Sequence, residues 1–180
     1  MLTPGHLAIS YLISQTPRLV GYETPLANQI YIIAWGNLLD LDILLSRLFL
    51  RRMGNHHFLF THTPVAASLI YLFSLVFTAK YFSLPTLLLG WIALFVHLVL
   101  DDISHWFYKL GLNQEVNHPQ IFWLYPFDKR RKEYLAKIKS GEIDYPMRKI
   151  LRIYFFQSLP NVFLELILII LALGVWLNKI

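Results

Sequence analysis

Cysteine is absent from the 180 residues, which removes disulfides, thiolate metal sites and cysteine nucleophiles together and leaves the redox compartment open. Charge is scarce as well: Asp, Glu, Lys and Arg make up 15% of the chain, against about 25% in an ordinary soluble domain. No internal repeat and no low-complexity tract is visible. The opening MLTPGHLAIS lacks the basic start, apolar run and small-residue cleavage site of a signal peptide, so it is expected to stay in the mature fold. What fills the chain instead is apolar, with 56% hydrophobic and 16% aromatic residues and a mean hydropathy of +0.49. This composition predicts an all-α polytopic membrane helical bundle of three to four spans. The length predicts one integral-membrane domain over residues 1–180, with no room for a large second soluble domain.

Residues 63–79, followed by Lys80, and residues 84–107 (LPTLLLGWIALFVHLVLDDISHWF) read as two spans, because about 20 apolar residues cross the hydrocarbon core. A third span, 153–177, is expected to break or kink at Pro160 and Asn161. Residues 26–50 are interrupted by Asn28, Gln29, Gly36, Asn37, Asp40 and Asp42, which suits a helix buried in protein or dipping into the membrane. Residues 3–15 read as a short amphipathic helix with Thr3 as N-cap and Pro4 in the first turn. The long polar stretch 109–152 carries DKRRKEYLAKIKSGEIDYPMRK, which holds eight of the sixteen basic residues, and the positive-inside rule makes it a cytoplasmic loop. Membrane lipids are the expected partners, the net charge of +5 reading as topology and headgroup contact. No nucleic-acid partner is expected, since nothing beside the basic run resembles a base-stacking or groove-reading module.

Carboxylates in apolar segments are costly unless paired, hydrated or bound to metal. Asp40, Asp42, Asp101, Asp102 and Glu165 lie in or at the ends of such segments. His97 and Asp101 are i and i+4 and His105 continues the row, so one helix face presents imidazole, carboxylate, imidazole. Asp102 points about 100° away and reads as a supporting or helix-end group. H-x-x-x-D on a helix is a clamp for a divalent cation, and a buried His–Asp pair that stabilises helix packing produces the same spacing. His56, His57 and His62 stand in HHFLFTHTP at the mouth of the first span. Their bland reading is an interfacial loop, with Thr61 or Thr63 capping the next helix and Pro64 in its first turn. Asp40 and Asp42 reach one site only if their helix ends or bends there.

Convergence favours the metal reading. Three separated segments bring His or Asp to one membrane face, and His6 sits on a short helix able to dock there. His and Asp without Cys is the donor set of zinc, manganese or iron hydrolytic sites. His6, Asp40 or Asp42, His57, His62, His97 and Asp101 are too many for one tetrahedral ion. Either some support the ligands or the site holds two or three metals.

GHLAIS at 5–10, LLDLD at 38–42, HFLFTHT at 57–63, HLVLDDIS at 97–104 and VNHPQIFWLYPF at 116–127 resemble the ordered motifs of the YdjM-like family, bacterial inner-membrane proteins described as metal-dependent hydrolases. The resemblance covers roughly residues 5–127. More distantly it extends to the zinc-dependent phospholipase C and single-strand nuclease group, helical enzymes whose metal clusters cleave phosphoesters. It implies metal-ligand roles for His6, Asp40 or Asp42, His57, His97 and Asp101, with His62 a ligand or an acid–base group, in a bacterial inner membrane. Where the family has H-R-G this chain has His57-Phe58-Leu59, so a basic side chain suited to a phosphate is missing there. His105, Glu115 and His118 are candidates for a further metal position.

The expected activity is hydrolysis of a phosphoester, lipid or lipid-linked, by water activated on divalent metal, with zinc first and manganese or iron as alternatives. An aspartate of the 40/42 or 101/102 pairs accepts the water's proton. Asp42, His62 and Asp102 are the expected catalytic groups. Two rival readings are a non-catalytic membrane interaction protein and a metal-ion transporter. The transporter predicts midplane ligands on broken helices in two related halves, and no repeat is visible. A bis-His haem is disfavoured by the carboxylates beside His97. Glu165 has no role in this scheme, and either faces the bundle interior or pairs with an arginine such as Arg152.

Overall fold

Proline stands in the first turn of four helices, where its missing N–H costs nothing and its fixed φ suits helix entry. The computed structural model describes residues 2–42, 60–112, 120–127, 130–140, 152, 154–155 and 158–178. Among them lie six helices: α1 (Thr3–Gln15), α2 (Leu26–Asn37), α3 (Pro64–Thr78), α4 (Leu84–Lys109), α5 (Arg130–Ser140) and α6 (Leu159–Leu177). Short 3-10 turns follow α1 and α2 and precede α3. No strand occurs among the described residues, so the fold is all-α as the sequence predicts.

Helix starts follow the sequence in part. Thr63 caps α3, its hydroxyl accepting the Ala66 N–H, and Pro64 opens the first turn. At α1 the cap position belongs to Leu2 and not to Thr3, which is already helical, and no local side chain caps the end. Pro160 falls in the first turn of α6, at the start of that helix and not inside it. A proline reads as an interruption when the apolar run around it is long, and as a start once the chain upstream leaves the helix.

Among the described residues two helices, α4 and α6, are long and apolar enough to cross a membrane. The expected first span appears as α3, whose 15 residues fall short of the roughly 20 that a crossing needs. In the stretch 26–50, α2 ends at Asn37 after 12 residues, and residues 43–59 lie outside the described residues. Within the expected loop 109–152, α5 is described and most of the remainder is not.

The core is built where α2 meets α4, with α1 and α6 packed on its flank. Ile32, Leu94, Leu98, Ala67 and Tyr71 are almost wholly buried. Small residues let the backbones approach: a Cβ at Gly36 would lie 2.0 Å from Ser10 Oγ and 3.2 Å from Ala93 Cβ. One at Gly90 would meet the Tyr31 ring at 2.8 Å. Close approach through small residues is how helices pack when lipid removes the hydrophobic drive between them.

Polar and charged side chains share the interior with this apolar core, while large apolar side chains line the outside. His6, Ser10, Asp42, His62, His97, Asp101, Asp102, Asn161 and Glu165 are buried, whereas Leu69, Phe73, Val76, Leu166, Ile170 and Trp176 are exposed. Apolar faces this continuous mark a membrane or partner surface.

Candidate metal centre

The end of α2 decides how two aspartates two residues apart reach one place. After Asn37 the helix tightens into a 3-10 turn, Leu38–Leu41, with Asp42 at its cap. That change of winding sends Asp40 toward His97, with Oδ1 3.7 Å from Nε2, and Asp42 toward His62, with Oδ2 2.7 Å from Nδ1. This is the bend the sequence requires if both are to serve one site. His62 itself is positioned by the 3-10 turn Phe60–His62 that enters α3.

On α4, His97 and Asp101 occupy successive turns, His97 Nε2 lying 3.0 Å from Asp101 Oδ2. α1 brings in His6, whose ring stacks on His97 with centroids 4.0 Å apart and whose Nε2 lies 2.9 Å from Asp101 Oδ1. His62 Nε2 closes the group at 3.6 Å from Asp101 Oδ2. Asp101 is therefore the hub, with three imidazole Nε2 atoms around one carboxylate. Two overlapping donor groups result, His6/Asp40/His97 and His62/His97/Asp101, each with its atoms within 4.8 Å of one another.

Tautomers follow from partners. Gly36 O lies 2.9 Å from His97 Nδ1; a carbonyl only accepts, so Nδ1 carries the proton and donates it. Asp42 likewise receives the His62 Nδ1 proton and also accepts the Thr61 hydroxyl. Both rings thereby turn Nε2 inward, the carbonyl–His and carboxylate–His supports that orient metal ligands. His6 is held neutral in a different way: burial pushes its pKa down to about 4, more than the nearby Asp101 carboxylate pulls it up.

The inward atoms are mutually repulsive as they stand. Neutral Nε2 atoms and carboxylate oxygens are all acceptors, and they converge at 2.9–3.7 Å. His6 Nε2, His97 Nε2, Asp40 Oδ2 and Asp42 Oδ1 are buried and make no hydrogen bond among the described residues. An imidazolium–carboxylate pair between His97 and Asp101, 3.0 Å apart, answers the repulsion at one ring, and a bound cation answers it for all of the converging donors at once. Donors bonded at 2.0–2.1 Å to one tetrahedral ion stand about 3.3 Å apart, within the observed spread. The donor set therefore fits a metal ion.

Five of the seven expected ligands, His6, Asp40, His62, His97 and Asp101, are brought together. Asp42 stands behind His62, and His57 lies outside the described residues, as do Glu115 and His118. Asp102 turns away from the cluster: its carboxylate accepts the N–H groups of Gln120 at 2.8 Å and Ile121 at 3.3 Å and the Trp123 indole N–H at 2.9 Å. It ties segment 120–127 to α4. His105 is buried beside Tyr108 and joins neither donor group.

Sequence reasoning missed the Gly36 carbonyl and the Thr61 hydroxyl, and of its two alternatives for Glu165 the structure shows the buried one, with the N–H groups of Leu2 and Gly5 and the Tyr154 hydroxyl as partners. A backbone carbonyl leaves no residue-type signal. Glu165 left one, as a lone carboxylate in an apolar helix, but its partners are far away in sequence. Comparison with protein-family models, with curated proteins and with solved structures gives no match for this chain.

Proposed function

We propose that this chain is a membrane-embedded, metal-dependent hydrolase of a phosphoester, lipid or lipid-linked, with its site at the cytoplasmic face of a bacterial inner membrane. The observation that carries the metal reading is the convergence of three histidine Nε2 atoms on the Asp101 carboxylate, two of them oriented from behind by Gly36 O and Asp42. A structural ion pair does not call for three imidazoles around one buried carboxylate.

In this reading His6, His62, His97 and Asp101 hold the metal, and Asp42 with Thr61 fixes the His62 ring. A divalent ion, zinc first, would supply Lewis acidity and a bound water acidic enough to ionise near pH ~7. Asp40 stands at the rim of the cluster, its side chain 12% exposed where those of His6 and Asp101 are 0%. Its Oδ2 makes no hydrogen bond among the described residues. Asp40 is the carboxylate best placed to take the proton of an attacking water.

Depth supports a substrate at the headgroup plane. α4 has 26 residues, about 39 Å at 1.5 Å each, whereas the hydrocarbon core is about 30 Å thick. If Leu84 marks one boundary, Asp101 falls near the other. The basic stretch after α4 supports a cytoplasmic orientation. The outward apolar faces of α3 and α6 support three or four membrane-embedded helices in all.

The test is elemental analysis of the protein purified in detergent without added metal, beside His97→Ala and Asp101→Ala. One or more equivalents of zinc, manganese or iron in the wild type, lost in both variants, is the expected result. A folded wild type that is metal-free and takes up neither zinc nor manganese overturns the reading.

A further inference from the structure

The three buried residues of α6 are Asn161, Glu165 and Ala172. Two of the three are polar, on a helix that otherwise exposes leucine, isoleucine and phenylalanine to its surroundings. They are i and i+4, one above the other on the same face. Burying a carboxylate and an amide is costly unless both find partners, and here the partners include groups at the start of α1 and on α4, the helices that carry His6 and Asp101. Glu165 Oε1 accepts the Gly5 N–H at 3.0 Å, and Oε2 faces the Leu2 N–H at 3.5 Å and receives the Tyr154 hydroxyl. The Asn161 amide donates to the Ser104 hydroxyl.

Gly5 immediately precedes His6, and Ser104 follows Asp101 by one turn of α4. α1 has no side-chain cap of its own, so Glu165 supplies from another helix the acceptor that an N-cap residue normally provides. α1 also packs more extensively on α2 and α6 than on α4. The 2.9 Å approach of His6 to Asp101 therefore depends on how α1 docks on its flanking helices and little on direct packing against α4.

We infer that Glu165 and Asn161 form a polar latch by which α6 sets the position of His6 against Asp101, making Glu165 a positioning residue of the proposed metal site. The inference rests on the reading of the cluster as a metal centre. It extends that reading to a helix that contributes no ligand.

The experiment measures zinc affinity in detergent for wild type, Glu165→Leu, Glu165→Gln, His6→Ala and the double variant His6→Ala/Glu165→Leu, each shown to be folded by circular dichroism and gel filtration. Glu165→Leu is expected to weaken zinc about 10- to 100-fold, the loss typical of groups that orient ligands. Glu165→Gln, which keeps an acceptor for the Gly5 N–H, is expected to stay close to wild type. In the His6→Ala background Glu165→Leu should cost little more, because both changes remove the same donor. Equal losses in the two backgrounds, or wild-type affinity in Glu165→Leu, overturn the latch. Amide hydrogen exchange over residues 3–8 judges it without metal: faster exchange in Glu165→Leu supports it and unchanged exchange overturns it. If wild type takes up neither zinc nor manganese and Glu165→Leu still exchanges faster over residues 3–8, the metal centre is refuted and the latch stands.

Discussion

The helices α4 and α6 satisfy the same condition of length and apolarity, yet 44% of the most apolar stretch of α4 is buried inside the fold and only 11% of that of α6. α4 is the core helix. It packs on α2, carries His97 and Asp101, and buries eleven residues, among them Leu94, Leu98 and Asp102. α6 faces outward along most of its length and holds the rest of the bundle through Asn161 and Glu165. Hydropathy measures how much a segment avoids water and is blind to which apolar medium covers it. In α4 the cover is largely protein and in α6 it is the surroundings, and the candidate metal donors His97 and Asp101 are on the covered helix.

Truncation tests that contrast directly. Leu94→Ala, at a side chain only 2% exposed, should destabilise the fold by about 2–5 kcal/mol, the cost of a core cavity, read as the midpoint of unfolding in detergent. Asp102→Asn comes next. It weakens charge-assisted acceptance of three N–H groups and is expected to cost about 1–3 kcal/mol while bound metal stays at the wild-type level. Metal loss in that variant would move Asp102 into the cluster and erase the distinction between neighbours on α4. The smallest effect is expected for Ile170→Ala on the outward face of α6, where the side chain is 65% exposed. A change within about 0.5 kcal/mol sharpens the comparison. A loss as large as that of Leu94→Ala would mean that α6 is packed against protein.

Local signals were legible in the sequence and remote ones were not. The i, i+4 spacing of His97 and Asp101 placed both on one face because a single regular helix carries them, and Thr63-Pro64 marked the start of α3 because cap and helix are adjacent. The need for a bend at Asp40 and Asp42 was equally local, and the structure meets it by winding α2 more tightly. The cap of α1 was misread because its acceptor lies 160 residues away, beyond the reach of any window. The first span was read from the apolar run 63–79, which records composition and not the 15-residue length of the regular helix α3; among the described residues α4 and α6 alone have the length and apolarity of a crossing. Asp102 was recognised as pointing away from Asp101, but its partners in segment 120–123 left no pattern to find.

The 160 residues between Gly5 and Glu165 have a meaning in time. At roughly 5–20 residues per second of synthesis, some 10–30 s separate the emergence of α1 from that of the carboxylate that engages its first turn. All the described donors of the cluster, His6 through Asp101, precede α6 in the chain. A ribosome therefore delivers every one of them before it delivers α6, and until then α1 can pack on α2 but has no acceptor from Glu165 for its first turn.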